Sequence, residues 1–303
     1  MTPPRPPAGR GTGAGGAGKR RPGPRRAGRQ GTGSRAEGAR SRAATARPTA
    51  PRPVLGGDQV EGRRAVRELL AARRRRVRDL WVSESAEVGH PLVVEILDLA
   101  ADDRVPVRRV SRGRLDAEAR TDAPQGVLAH AEPLRPAELA ALASRRDGAA
   151  PFLIALDGVT DPQNLGALLR IADGAGATGL IVARHRAVHV TPTVAKAAAG
   201  AVEHVPIALV SGVAGALRDL AAAGVWTVGL DGDAPGTVFD LDLGTEPVAL
   251  VLGAEGTGLS RLVRERCDVL ASIPQRGALA SLNVAAAGAV ACYEVARRRL
   301  AAG

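Results

Sequence analysis

The sequence predicts an α/β protein whose C-terminal half contains a doubly wound parallel sheet. From residue 152 onward, short apolar runs alternate with segments of helical periodicity, which is the pattern of βαβ units. The run at residues 248–252 contains no polar residue and is typical of a strand buried on both faces. Two glycine-bearing loops, at residues 253–258 and 275–277, follow two of these runs, and we expect both runs to be buried strands. In an open α/β sheet, ligands bind at such loops.

Residues 1–53 differ in composition from the rest of the chain. They carry 13 Lys and Arg residues against one acid, Glu37, so their formal charge is +12, whereas that of the whole chain is +11. Of these 53 residues, 20 are Gly or Pro, and large aliphatic residues are absent. We therefore expect a disordered basic tail. Its charge suits RNA or DNA through counterion release, and a non-specific solubilising role is an equally good interpretation.

Several classes of protein are excluded by what the sequence lacks. Cys267 and Cys292 are the only cysteines, and no CxxC or Cys/His cluster occurs, so neither a disulfide scaffold nor a metal site is predicted. No apolar stretch reaches the roughly 20 residues of a membrane span, and the N-terminus lacks an apolar signal region. We expect a reduced, cytoplasmic protein with neither membrane nor metal as a partner.

Residues 54–133 are predicted to form a small α/β domain. Val60, Val66 and Leu69 recur at helical spacing and predict a helix over residues 59–70. The remaining predicted elements are a strand at 78–82, a helix at 92–101, and strands at 105–107 and 126–129. Four consecutive arginines at 73–76 follow the first helix. They are either a solvated helix end or a contact for phosphate.

Residues 134–151 are interpreted as a helix and linker, and residues 152–303 as the second domain. Its six predicted strands lie at 152–156, 179–182, 204–209, 225–229, 248–252 and 269–273. Helices are predicted between them, among others at 194–201, at 213–223 and after residue 283. If Asn164 caps the helix after the first strand, one buried stripe contains Leu165, Leu168, Leu169 and Ala172. Arg170 then points away from that stripe.

Three segments of the second domain carry a resemblance to a known family. They are residues 164–170 (NLGALLR), residues 253–256 (GAEG), and residues 273–283, which begin with Ile-Pro and end with Ser-Leu-Asn. In this order they resemble the three motifs of the SpoU (TrmH) family of RNA ribose 2′-O-methyltransferases. Residues 54–133 look like the ribosomal-protein-like RNA-binding domain that precedes them. The layout is similar to that of the branch that methylates a guanosine of 23S rRNA.

The resemblance implies a fold, an assembly and a methyl donor. The fold would be a SPOUT-type parallel sheet with a C-terminal trefoil knot, the assembly a homodimer, and the donor S-adenosylmethionine. By motif position, the donor would contact Gly253, Ile273 and Leu282, largely through backbone groups. The catalytic positions of the family fall on Asn164, Arg170, Glu255, Ser281 and Asn283.

The role that the resemblance assigns to Arg170 depends on the basicity and charge of its guanidinium. A guanidinium has a pKa above about 12 and is a poor base, so it acts as one only when desolvated and paired with a phosphate. We expect it to stabilise the developing alkoxide and to grip the adjoining phosphate. From position alone, Arg170 is a solvent-facing helix residue and Glu255 a solvated loop acid. A helix cap at Asn164 is compatible with its also positioning the ribose, whereas Ser281 and Asn283 are equally well interpreted as plain helix caps.

Other functions compete with this interpretation. A nucleotide-dependent oxidoreductase needs GxGxxG after the first strand, but residues 157–164 read DGVTDPQN. A non-catalytic RNA-binding protein would use only the tail and the small domain, and donor binding separates it from an enzyme. The same reaction on tRNA or at another rRNA site is also compatible with the sequence.

Overall fold

The computed structural model describes residues 53–86, 90–146, 148–185, 189–244, 246–278 and 281–302. Apart from Pro53, the predicted basic tail lies outside the described residues. Residues 53–303 form one compact unit, which contains a four-stranded and a six-stranded sheet. No helix in the described part of the chain is both long enough and apolar enough to cross a membrane.

The small sheet has the strand order β1-β4-β2-β3. Its strands are β1 (Gln59–Glu61), β2 (Val77–Ser83), β3 (Val107–Val110) and β4 (Val127–Ala131). Helices α1 (Arg63–Ala72) and α2 (Pro91–Asp102) cover one face, where Leu69, Leu80 and Ile96 share a buried core. On the other face, Arg114 of α3 (Arg112–Glu118) lies over the Trp81 ring.

The predicted helix at 59–70 is wrong at its start. Residues Gln59–Glu61 form β1, which pairs with β4 in antiparallel register, and the helix begins only at Arg63. Gly62, with φ 90°, turns the chain between them, a conformation that residues with a side chain rarely adopt. Val60 is buried in the strand, so its apolar character fits either structure. Helix α3 was not predicted, and β3 begins two residues later than the strand predicted at 105–107.

The large sheet has the order β10-β8-β9-β5-β6-β7, and every pair in it is parallel. Its strands are β5 (Phe152–Asp157), β6 (Gly179–Ala183), β7 (Ile207–Val210), β8 (Trp226–Leu230), β9 (Val248–Gly253) and β10 (Val269–Ala271). The predicted parallel sheet is therefore confirmed. Strand β9 is central and buried, as its apolar run predicts. Strand β10 is an edge strand and only partly buried, contrary to the expectation that both glycine-bearing loops follow buried strands.

Helices cover both faces of the large sheet. Helices α5 (Pro162–Gly174), α6 (Pro192–Ala197) and α9 (Val284–Ala302) share a core with Phe152 and Ile154. Helices α4 (Leu139–Leu142), α7 (Val213–Ala222) and α8 (Arg261–Arg264) pack on the other face, against Leu153 and Ala155. The helix predicted at 194–201 ends earlier and is followed by a 3₁₀ turn, Ala201–Glu203.

The arginine run at 73–76 joins the two sheet regions. Arg75 forms an ion pair of 2.6 Å with Glu203, and the two side chains are only 6% and 1% exposed. The same guanidinium donates to the carbonyls of Gly57 and Glu132. Neither a solvated helix end nor a phosphate contact describes this residue, so both interpretations are wrong for Arg75. Glu68 of α1 adds a contact of 2.8 Å to His204.

Candidate functional site

A cavity of 540 Å³ lies at the carboxyl edge of the large sheet. Its wall consists of residues that follow β8, β9 and β10, together with the first turn of α9 and the segment before it. Parallel strands bring their carboxyl ends to one edge, so loops that are far apart in sequence meet there. The volume lies within the range of about 300–1,000 Å³ that is usual for small-molecule sites.

The loop after β9 is closed by its own backbone. Ala254 and Gly258 exchange two hydrogen bonds, of 3.1 and 2.9 Å. A Cβ atom at Gly253 would lie 2.2 Å from the carbonyl carbon of Gly258 and 2.4 Å from the nitrogen of Leu259. The loop itself therefore requires glycine at position 253, before any ligand is considered.

Three of the predicted site residues meet beside this cavity. The Asn283 side-chain amide donates to the Glu255 carboxylate over 2.6 Å and to the Asn164 carbonyl oxygen over 3.0 Å. The Asn164 amide donates to the same Glu255 oxygen over 3.2 Å. Glu255 and Asn283 line the cavity directly. One residue from each of the three motifs thus belongs to a single hydrogen-bonded cluster, which we call the Asn–Glu–Asn cluster.

Local helix geometry positions the two asparagines differently. Asp161, not Asn164, is the N-cap of α5, and its carboxylate accepts a 2.8 Å hydrogen bond from the Asn164 backbone amide. The expected cap at Asn164 is therefore wrong, and the Asn164 side chain instead bonds Glu255 and Asn283. Asn283 does cap α9, because its Oδ1 accepts from the amides of Ala285 and Ala286 over 2.9 and 3.2 Å.

The predicted contacts of the methyl donor and the predicted catalytic residue Ser281 also line the cavity. Ile273, Ser281 and Leu282 belong to its wall together with Gly253. Leu282 is 40% exposed, so it offers apolar surface to a ligand. The Ser281 hydroxyl forms no hydrogen bond to another residue within the described ranges, and the expected helix cap at this position is not formed.

Carboxylates dominate the charge of the cavity. Asp231, Asp233 and Glu255 line it, against one guanidinium, that of Arg264, which pairs with Asp231 at 3.1 Å. The resulting negative potential favours a ligand that carries positive charge. Asp231 and Asp233 were not among the predicted site residues, although they closely follow a predicted strand, where site residues are expected.

Arg170 lies in a different cavity. It occupies an exposed position on α5, away from the buried stripe of Leu165, Leu168 and Leu169, as predicted. Six residues separate it from Asn164, which places it about 9 Å further along the axis and on another face. It lines a cavity of 550 Å³ with Arg64 and Lys196. A single chain therefore does not bring Arg170 into the Asn–Glu–Asn cluster.

The two cysteines have no assigned role in the site. Burial raises the pKa of both Cys267 and Cys292 to about 12, so both thiols stay protonated at neutral pH. Among the described residues, no group of three or more His, Cys, Asp or Glu side chains could hold a metal ion.

The chain is similar to known proteins in both of its folded regions. Residues 151–293 match the model of the SpoU rRNA Methylase family, and residues 59–137 match that of RNA 2′-O ribose methyltransferase substrate binding. A 23S rRNA (guanosine-2′-O-)-methyltransferase RlmB of Pseudomonas putida is 40% identical, covering 80% of this chain and 97% of the relative. The RlmB of Pseudomonas aeruginosa is 42% identical over the same shares.

Two solved methyltransferase structures are also similar to this chain. The SpoU methyltransferase AviRb of Streptomyces viridochromogenes, in complex with the cofactor AdoMet, aligns with a TM-score of 0.66 and 28% identity, covering 80% of this chain and 90% of that one. An AdoMet-bound rRNA methyltransferase of Sinorhizobium meliloti aligns with a TM-score of 0.66 and 28% identity, covering 80% and 87%.

Proposed function

Since the chain belongs to the SpoU family of RNA ribose 2′-O-methyltransferases, we propose that it methylates the ribose 2′-hydroxyl of a guanosine in 23S rRNA, with S-adenosylmethionine as donor. The observation that carries the proposal is the Asn–Glu–Asn cluster, which joins residues 164, 255 and 283 beside the cavity. The choice of 23S rRNA is supported by two relatives, 40% and 42% identical, that are 23S rRNA (guanosine-2′-O-)-methyltransferases.

The cavity fits S-adenosylmethionine in charge and size. The donor carries a sulfonium, an ammonium and a carboxylate group, so its net charge is positive, and the carboxylates of Asp231, Asp233 and Glu255 line the cavity. When bound, the donor supplies an electrophilic methyl group. We assign its binding to Gly253, Ile273 and Leu282, with the adenine between the two glycine-bearing loops. The exposed Leu282 side chain offers the apolar contact that a base needs.

The protein residues align the acceptor. The Asn–Glu–Asn cluster, with Ser281 beside it, holds the ribose so that its 2′-oxygen faces the methyl group, and such alignment supplies much of the rate. Arg170 stabilises the alkoxide that develops as the hydroxyl proton leaves to solvent by way of the adjoining phosphate, and it holds that phosphate in a bidentate manner. Its guanidinium acts as an electrostatic clamp, because its basicity is too low for routine proton abstraction.

We also propose that the protein acts as a cytoplasmic homodimer. One chain places Arg170 and the Asn–Glu–Asn cluster in separate cavities. In a dimer, the Arg170 of one protomer would lie at the 540 Å³ cavity of its partner. Each active site would then contain residues from both chains. Mixing an Arg170→Ala chain with a Glu255→Ala chain would then restore part of the activity, since half of the sites in a mixed dimer are intact.

The proposal is tested by methyl transfer in vitro to 23S rRNA, 16S rRNA and tRNA, followed by mass spectrometry of nuclease fragments. We expect one ribose-methylated guanosine in 23S rRNA. Transfer to tRNA alone would support the alternative substrate. Donor binding without transfer to any of the three RNAs would contradict this choice of substrates. RNA binding without donor binding would point to a non-catalytic RNA-binding protein.

A further inference from the structure

The cavity that contains Arg170 lies between the small domain and helices α5 and α6. Its volume is 550 Å³, and four cationic side chains line it: Arg63, Arg64, Arg170 and Lys196. They come from the start of α1, from α5 and from α6, so both sheet regions contribute to one basic cleft. Glu61 is the single acid among its lining residues.

Glu61 forms no ion pair with Arg64, Arg170 or Lys196. It is fully buried, at 0% exposure, and its carboxylate is held inside the small domain. One oxygen accepts from Gln59 Nε2 over 2.9 Å and from the Arg120 amide over 2.7 Å. The other accepts from the amide and hydroxyl of Thr121, over 3.1 and 2.5 Å.

Three of the cleft cations also lack a partner of their own. Within the part of the chain that the structure describes, Arg64, Lys196 and Arg170 form neither an ion pair nor a hydrogen bond through their side chains. In contrast, Arg67 of the same helix pairs with Glu68 and Glu95, both at contacts below 3 Å. Several unpaired cations around one cleft repel one another, and a bound anion relieves that repulsion.

The cleft continues along α5 toward Gln163. A neighbouring cavity of 380 Å³ is lined by Lys196, Thr121 and Gln163, so Lys196 belongs to both. Gln163 precedes Asn164 and lies seven residues before Arg170. Seven residues are close to two helical turns, so both side chains share one face of α5, about 10 Å apart. One continuous surface thus connects the neighbour of Asn164 with Arg170.

We propose that this cleft binds the sugar–phosphate backbone of the RNA beside the target nucleotide, with Arg64 and Lys196 as phosphate ligands. The inference rests on the proposed function and adds residues to it. Phosphates are favoured over bases because the lining is cationic and His90 is its only ring-bearing member among the described residues, whereas base recognition relies on aromatic stacking. Such contacts position the RNA without selecting its sequence.

The test measures binding of in vitro transcribed 23S rRNA to the full chain between about 50 and 200 mM salt. The variants are Arg64→Ala, Lys196→Ala and their combination. Log affinity falls as log salt rises. Each single variant should make this negative slope less steep by about 1, and the double variant by about 2. Affinity should fall roughly tenfold for each lost contact. The methylated nucleotide and donor affinity should stay unchanged.

Two controls separate a lost contact from lost structure or charge. Arg218→Ala removes the same charge from α7, on the opposite face of the large sheet, where Arg218 is 67% exposed, and should leave the slope unchanged. Lys196→Arg keeps the charge in the cleft and should keep the wild-type slope. If the Arg64 and Lys196 alanine variants behave like Arg218→Ala, the cleft proposal is wrong. If the wild type binds RNA but transfers no methyl group, only the proposed function is overturned. The slopes of log affinity against log salt still measure RNA binding in the cleft.

Discussion

Asn283 donates a hydrogen bond of 2.6 Å to the Glu255 carboxylate and so ties the start of α9 to the glycine loop after β9. The same side chain caps α9 through its other polar atom. One residue thus serves both the stability of the C-terminal helix and the arrangement of the proposed site. Variants on either side of this hydrogen bond separate the two roles.

Glu255→Ala removes the acceptor of the Asn–Glu–Asn cluster and a long contact of 3.5 Å with the Val284 amide, but it leaves the Asn283 cap of α9 in place. Asn283→Ala removes both the donor to Glu255 and that cap. Both variants should lower methyl transfer by about 10²-fold, the usual effect of losing one preorganised group. Only Asn283→Ala should lose about 1 kcal/mol of stability through the missing cap. Single-turnover transfer and thermal melting measure the two effects. Equal melting temperatures for the two variants would contradict the capping role.

Arg170→Ala should leave the stability unchanged, because the side chain is exposed. Donor affinity should also stay unchanged, because Arg170 is assigned to the acceptor ribose and its phosphate and not to the donor. Methyl transfer should fall by more than about 10²-fold, since alkoxide stabilisation and phosphate grip are lost together. Arg170→Lys keeps the charge but loses the planar fork and should rescue poorly. The measurement is single-turnover transfer at saturating donor and RNA. Turnover of the alanine variant within about tenfold of wild type would make Arg170 an ordinary surface residue.

Arg75→Ala should destabilise the protein by about 3–5 kcal/mol, because it leaves the carboxylate of Glu203 buried without its partner. Arg73→Ala is the matched control. Arg73 belongs to the same run, but its side chain is 57% exposed in its pair with Asp103, so the loss should stay below about 1 kcal/mol. Urea unfolding measures both. Equal stability of the two variants would show that the buried pair does not stabilise the contact between the domains.

Glu294 of α9 should make stability depend on pH. Hydrogen bonds from Arg297, and then from Arg298, lower the pKa of Glu294 from 4.5 to about 2 against the opposing effect of burial. A depressed pKa stabilises the folded state above the unfolded-state pKa near 4.5, and this stabilisation is lost as the pH falls toward 2. Glu294→Gln should therefore be less stable than wild type at pH 7.

The difference in unfolding free energy between Glu294→Gln and wild type should stay constant from neutral pH down to about pH 5 and shrink below it. Urea unfolding at several pH values measures this difference. A difference that is the same at pH 7 and at the lowest pH where both proteins fold would contradict the assigned ion pair.

Features that depend on neighbouring residues were predictable from the sequence. The apolar run at 248–252 predicted a buried strand, and the spacing of Leu165, Leu168 and Leu169 predicted which face of α5 is buried. Both predictions are confirmed, because burial imposes a local period on each element. The glycines after the strands likewise marked the carboxyl edge of the sheet as the place for a site.

Features that depend on distant partners were decided only by the tertiary structure. Residues 59–61 satisfy a helical spacing, yet they form a strand because β4 offers an antiparallel partner. Four identical arginines at 73–76 differ only in where the fold places them, and Glu203, 128 residues away, selects Arg75 for burial. The contact between Asn164 and Glu255 spans 91 residues. Local sequence carries no record of such partners, because the order of the strands determines which loops meet.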